Sequence, residues 1–433
     1  MTKRKKTDYQ DNRTQALLEM SRALGSTCQL DDLLNMVVRY SMELLNAERA
    51  TLFLYDKEHH ELYSRIAEGA KGLRIPADAG LAGAAAVTLK VINVPDAYAD
   101  ERFNRKVDEQ TGYHTRSILS CPLTDYEGQL VGVLQVLNKR KDTFNEDDIS
   151  LAEALSAQAG VALQRAHLLE EYLEKKRLED SLRIAQEIQE KLLPRQAPHW
   201  EGFDIACWNR PCDATGGDYC DFLPLDHERL LITLGDVSGH GIGPALISCA
   251  TRAMLRALSS VEKNIEQVMQ RVNHLIKADL PDNRFVTAFT GILHSKKAQL
   301  HYCSAGQGPL LWLHAQSKNQ NNKDDNQKNK VDILGAGAIP IGIIDDLGDL
   351  PPQVITLREG DIFALLTDGF YEWSREDGEL FGVQRAIDVI RQNQQRTAGQ
   401  ILEAIKTAVE KFADSKQKDD LTAIIIKKSP AQT

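Results

Sequence analysis

Between Ala166 and Pro194 the chain reads AHLLEEYLEKKRLEDSLRIAQEIQEKLLP, a charged helical stretch with one thin apolar seam. Leu178, Leu182, Ala185 and Leu192 follow 4-3-7 spacing, and Gln189 takes the seam position that would otherwise be apolar. A seam this narrow, flanked by charge, suits contact with one partner helix better than burial in a globular core. The expectation is a parallel two-helix contact in a homodimer; a solvated linker helix is the alternative. Pro194 ends the helix. The sequence on either side must therefore build its own cores. A chain of 433 residues, 42% hydrophobic and 26% charged, has the apolar material for roughly two to four domains. The division read here is 12–165, 166–194 and 195–428.

The N-terminal part reads as two helices (NRTQALLEMSRALGS and LDDLLNMVVRYSMELL), then strands (ERATLFLYD, ELYSRIAEG, VINV, SILSCPLTD, QLVGVLQVLNK), then a long helix beginning at DDISLAEAL. That order makes an α+β domain: an antiparallel sheet flanked by helices. From 195 onward, strands such as RLLITLGDV, VTAFTGILH, DIFALLTDG and LTAIIIKK alternate with helical stretches, which fits a β-sandwich with helices outside it. The polar segment SKNQNNKDDNQKNK, 317–330, reads as a disordered loop.

The formal net charge of −10 excludes nucleic acid as the main partner, because phosphate backbones require clustered Lys and Arg. No run reaches the roughly 18 apolar residues of a membrane span. The seven cysteines form no CxxC pair, so reduced thiols in a cytoplasm are expected and a cysteine-ligated zinc site is not.

Four aspartates stand where apolar strands begin or end: Asp218 in GGDYCDF, Asp236 in LLITLGD, Asp368 in FALLTDG and Asp419 in DDLTAIII. A lone carboxylate there costs several kcal/mol, roughly, unless something pairs with it. No lysine or arginine adjoins Asp218, Asp236 or Asp368, and Lys418 precedes Asp419. Neighbouring strand ends meet in space, so the four can share one site. Hard divalent cations take oxygen ligands, and two of them a few ångströms apart activate water for in-line attack on phosphorus. Gly235, Gly239 and Gly241 permit tight turns beside such a site. The competing reading makes each aspartate a turn or cap residue. His240 reads as structural.

GGDYCDF, GDVSGHGIGPAL, LLTDGFYEW and DDLTAIII, in this order, resemble the metal-dependent PPM (protein phosphatase 2C-like) serine/threonine phosphatases, and more closely their SpoIIE-like branch. AQEIQEKLLP resembles the helix that precedes the core in that branch. The resemblance implies an α-β-β-α sandwich with two Mn²⁺ or Mg²⁺ ions. Asp236 would bridge them; the Val237 carbonyl, Asp218, Asp368 and Asp419 would complete the ligand set. A hydroxide between the metals would attack a phosphoserine or phosphothreonine protein, with an anti-sigma-factor antagonist bearing a STAS domain as the implied substrate. Asp236 and Asp218 are thus the implied catalytic residues. Arg210 is a candidate for the phosphate, with a surface role as the alternative. AGQGPLL departs from the family's usual AGHPPPLL at Gln307 and Gly308, which bears on substrate positioning.

INVPDAYADERFN, TGYHTRSILSCPL and GVLQVLNKRKDTFNEDD resemble a GAF domain. Asn138, Lys139, Phe144 and Asp148 fit the signature of its cyclic-nucleotide-binding members, with Ile149 where a Glu would stand. The resemblance implies a sensory domain. Its ligand is left open between a cyclic nucleotide, another small molecule in an apolar pocket, and no ligand in a pure dimerisation module. Two rival functions stand beside the phosphatase. One is a phosphatase fold that binds phosphoproteins without turning them over. The other is a cyclic-nucleotide phosphodiesterase, which needs a histidine-rich metal site; His227, His240, His294 and His301 lack that clustering.

Overall fold

The computed structural model describes residues 15, 18–27, 29–67, 72–280, 283–315 and 330–430. The basic start MTKRKK lies outside them, as does the polar segment expected as a loop, apart from Lys330. The chain forms two compact units, Met1–Arg177 and Leu178–Thr433. Among the described residues no helix is long and apolar enough to cross a membrane.

In the first unit, α1 (Leu30–Leu45) leads into β1 (Ala47–Asp56), β2 (Glu61–Ala67) and β3 (Arg74–Pro76). Then come α2 (Gly80–Thr88), β4 (Ile92–Val94), α3 (Arg105–Thr111), β5 (Ile118–Thr124) and β6 (Leu130–Lys139). The strands make one antiparallel sheet in the order β3-β2-β1-β6-β5-β4. One face buries Leu52, Leu119, Leu134 and Val136 under α1 residues Leu33, Leu34 and Val37 and under Leu151, Leu155 and Leu163. The other packs Phe53 and Val133 on the alanines of α2, a smaller core over a short helix. Apolar side chains on both faces of β1 follow from the two-fold alternation of a strand covered on both sides.

The stretches read as a closing helix and a linker are one helix, α4 (Glu146–Leu192), of 47 residues. Nothing breaks it before Leu193, since Pro194 is the first proline after Pro122. Leu168, Tyr172, Leu178, Ile184 and Ile188 are exposed along it. Gln189 is not. It is buried, and it binds the backbone of Gly216 twice, through Nε2 to the carbonyl at 2.6 Å and from the N–H to Oε1 at 3.1 Å. The expected seam therefore loses its polar member to the second unit's core, because a side-chain amide offers both a donor and an acceptor and the Gly216 peptide needs both.

The second unit is a four-layer α-β-β-α sandwich. One sheet runs β14 (Gln353–Thr356), β11 (Gln299–Ala305), β10 (Val286–His294), β9 (Arg229–Val237), β8 (Tyr219–Pro224). The other runs β13 (Val331–Leu334), β12 (Leu310–Leu313), β15 (Ile362–Leu366), β16 (Leu421–Lys428), β7 (Phe203–Arg210). Leu230, Ile232 and Leu234 of β9 meet Phe363, Leu365, Ile424 and Ile426 between the sheets. The alternate residues Leu231 and Val237 face α5 (Ile242–Val261) and α6 (Ile265–Asp279). On the far side, Ala423 and Ile425 of β16 face α8 (Gly382–Gln392) and α9 (Ala398–Phe412). Burial on both faces explains why RLLITL and LTAIII are continuous apolar runs rather than alternating ones. It also leaves the strand ends as the place where a carboxylate can stand.

Candidate active site

The register of the strands brings the four aspartates to one lip of the sandwich. Tyr219 of β8 pairs with Gly235 of β9, so Asp218, one residue before, stands opposite Asp236, one residue after. Their carboxyl groups are close enough to act on one another's charge. In the facing sheet, Leu366 of β15 pairs with Ala423 of β16, and the ladder continues through Thr367 N–H donating to the Thr422 carbonyl at 3.0 Å. That register puts Asp368, the first residue of α7 (Asp368–Glu372), near Asp419 and Asp420. Asp368 thus opens a short helix rather than ending a strand, and it is the most open of the four.

Burial and mutual repulsion raise the affinity of these groups for protons. Burial pushes Asp236 up to about 7, helped by the negative charges of Asp368 and Asp419. Asp419 is pushed up to about 6, again chiefly by burial, with Asp368 adding to it. Asp218, fully buried, is held well above the usual carboxylate range by desolvation and by the charges of Asp236 and Asp420. Like charges this close are a set of oxygen donors suited to a hard cation.

Two residues that the sequence reading passed over hold this arrangement. Asp420 is buried and accepts three backbone N–H groups, from Gly217 at 2.6 Å, Cys212 at 2.8 Å and Asp218 at 3.3 Å. Thr367 donates its hydroxyl to Asp218 Oδ2 at 2.8 Å and accepts the Thr422 N–H at 2.9 Å. The Asp-Asp pair before the last strand was the available signal: one member turns to the lip, the other to the backbone. Gly217 fits the same frame. A Cβ there would lie 2.8 Å from the Val237 carbonyl oxygen, so only glycine lets the Asp218 loop approach that carbonyl. Gly216, its neighbour, is the residue gripped by Gln189.

The remaining sequence candidates have other positions. The Arg210 guanidinium donates to Glu410 at 2.6 Å and lies between the rings of Trp208 and Trp373. Its guanidinium is thus engaged with Glu410 on α9. Gln307 is buried, accepts the Thr287 hydroxyl at 2.7 Å and donates to the Leu366 carbonyl at 3.3 Å. Thr287 is the ladder partner of Asp236, so Gln307 braces the lip from behind. In the first unit, Asn138 Oδ1 accepts the N–H groups of Arg116 and Ser117, and its amide donates to Tyr113, His114 and Glu48. Lys139 pairs with the buried Asp148 and lies near the Phe144 ring. These four residues tie loops together. A separate cavity of about 170 Å³ lies among Phe53, Ile75, Leu81, Phe103, Arg49 and Tyr113.

Comparison with known proteins agrees with this architecture. A profile of the Stage II sporulation protein E (SpoIIE) family matches residues 226–429, and a GAF domain profile matches 29–163. The chain carries a GAF domain followed by a SpoIIE-type phosphatase domain. That second domain is of the SpoIIE, PP2C-family serine/threonine phosphatase type. Among solved structures, the SiaA-PP2C domain of Pseudomonas aeruginosa is 23% identical, with a TM-score of 0.49 over 59% of this chain and 98% of that one. RsbX in complex with magnesium is 19% identical, with a TM-score of 0.41 over 54% of this chain and 99% of that one. Among curated proteins, a probable 3′,5′-cyclic phosphodiesterase of Caenorhabditis elegans is 33% identical over 40% of this chain and 25% of its own length. A cGMP-specific 3′,5′-cyclic phosphodiesterase of Drosophila sechellia is 31% identical over 35% of this chain and 14% of its own length. The chain thus spans a quarter or less of these curated relatives.

The raised aspartates set a pH dependence. Their folded pKa values lie above the unfolded one, so the folded state binds more protons between about pH 4 and 7. Stability of the metal-free protein therefore falls as pH rises through that window. Magnesium should raise the melting temperature strongly at pH 8 and little at pH 5. Thermal unfolding with chelator or with Mg²⁺, across pH 5–8, checks this; equal shifts at both ends would refute it.

Proposed function

We propose that this chain is a protein serine/threonine phosphatase in which Asp218, Asp236, Asp368, Asp419 and the Val237 carbonyl hold two Mn²⁺ or Mg²⁺ ions. The observation that carries the reading is the convergence on one lip of four carboxylates, from just before β8, the end of β9, the start of α7 and just before β16, each holding its proton more tightly because of burial and neighbouring carboxylate charge. When bound, such ions lower the pKa of water and neutralise phosphoryl charge. The chain's own residues do the positioning. Asp420 and Thr367 orient Asp218, Gln307 and Thr287 steady the end of β9, and Gly217 lets backbone and side-chain oxygens face the same point. The substrate would be a phosphoserine or phosphothreonine protein, by resemblance an anti-sigma-factor antagonist with a STAS domain. Six free cysteines among the described residues fit a reducing cytoplasm. The working division is 12–165 sensor, 166–194 linker and 195–428 catalytic domain.

Asp236→Asn should lower manganese-dependent hydrolysis of p-nitrophenyl phosphate, and of a phosphorylated STAS-domain protein, by about a hundredfold or more. Wild-type rates in that variant would defeat the reading.

Regulation in this proposal passes through α4. A second copy of the chain is the partner proposed for its exposed Leu178, Ile184 and Ile188, which stand among charged residues. Since Gln189 grips Gly216, a shift of the helix displaces the loop that carries Asp218. Leu178→Lys with Ile188→Lys should halve the mass measured by light scattering and change the phosphatase rate. A wild-type monomer, or no change in either quantity, would count against it.

The GAF cavity supplies the input. Arg49 lies 3.9 Å from the Tyr113 ring centre and makes no ion pair among the described residues, so it can meet the negative charge of a cyclic nucleotide or another small anion. Equilibrium dialysis with cGMP and cAMP is expected to show binding that Arg49→Met weakens about tenfold. Binding unaffected by that change would remove Arg49 from the site.

A further inference from the structure

The loops that flank the carboxylates hold a second group of metal-ligating side chains with a different chemistry. Cys212 and Asp213 follow β7, and His240 follows β9. One ligand atom from each lies within 4.8 Å of the other two. His240 Nδ1 and Asp213 Oδ2 are 2.6 Å apart. The Cys212 N–H donates to the buried Asp420 at 2.8 Å, which anchors the backbone that carries the thiol. Asp213 and His240 are 47% and 63% exposed, so an ion has access from solvent.

We propose that Cys212, Asp213 and His240 bind one borderline-soft divalent ion of the zinc type, separate from the hard-ion site of the four aspartates. The donor set decides the class. Thiolate and imidazole favour Zn²⁺ or Co²⁺, whereas an all-oxygen cluster favours Mg²⁺ and Mn²⁺. Three protein ligands leave a fourth position for water. With metal–ligand bonds of about 2.0–2.3 Å, tetrahedral ligands stand about 3.3–3.8 Å apart. Rotation of two exposed side chains brings these atoms to that spacing. The thiol releases its proton to the solvent as the ion binds. Cysteine spacing in the sequence does not reveal the site because the histidine arrives from another loop, 27 residues away.

The same two loops lead into Asp218 and out of Asp236. An ion joining them restrains both, so occupancy slows the phosphatase. That effect rests on the activity proposed above; the binding does not.

The test is a Co²⁺ titration of the full chain in saturating Mg²⁺, followed by thiolate-to-cobalt charge-transfer absorption. One equivalent should bind. Cys212→Ser should abolish the band and His240→Gln should weaken binding about tenfold or more, both variants keeping the wild-type melting temperature. Zinc should displace the cobalt and slow p-nitrophenyl phosphate hydrolysis in the wild type but not in Cys212→Ser. A missing band, or one unchanged in Cys212→Ser, overturns the site. So does zinc binding that Asp236→Asn removes and Cys212→Ser retains, since the ion would then sit among the aspartates. Equal inhibition of wild type and Cys212→Ser overturns the restraint. A chain that shows the band but no hydrolysis keeps the metal site and loses only the enzymatic reading.

Discussion

Negative charge crowded at the lip of two packed sheets governs the second half of this molecule. Asp218 and Asp236 face each other across one ladder, and Asp368 and Asp419 come from the other sheet. Desolvation and repulsion act in the same direction on these groups, toward protonation. A protein keeps such an arrangement only if something offsets it, and a divalent cation does so with the least rearrangement.

Around the lip, hydrogen bonds supply the rigidity that like charges cannot. Asp420 collects three backbone N–H groups from the loop between β7 and β8, which keeps its own charge satisfied while fixing the position of Asp218. Thr367 links Asp218 to the ladder of the opposite sheet through a single hydroxyl that both donates and accepts. Gln307 and Thr287 perform the corresponding task behind Asp236. Removing a partner from any of these buried groups leaves a polar atom unsatisfied, at about 1–3 kcal/mol each.

Gln189 connects this framework to the long helix. As a seam residue in sequence it suggests a polar register-setting position in a coiled coil. In the fold its amide completes the hydrogen bonding of Gly216, two residues before Asp218. The helix is thus built into the wall of the candidate site and not merely attached to it.

Much was legible from the residues alone. Continuous apolar runs ending in aspartate implied strands buried on both faces, because only a chain layered on each side needs them, and a carboxylate at such an end implied a partner other than lysine or arginine. The two-domain order and the helix ending before Pro194 followed from periodicity and from proline's missing N–H. Tertiary structure decided what periodicity cannot encode. Which of Asp419 and Asp420 turns to the lip depends on the loop that the other one caps. Arg210 found Glu410 and two indole rings because β7 and α9 pack together. Cys212, Asp213 and His240 meet only because the loops after β7 and β9 lie side by side. Local sequence determines the direction of each side chain along its own strand or helix. The meeting of side chains from distant strands depends on register and layer packing, which the whole chain settles at once.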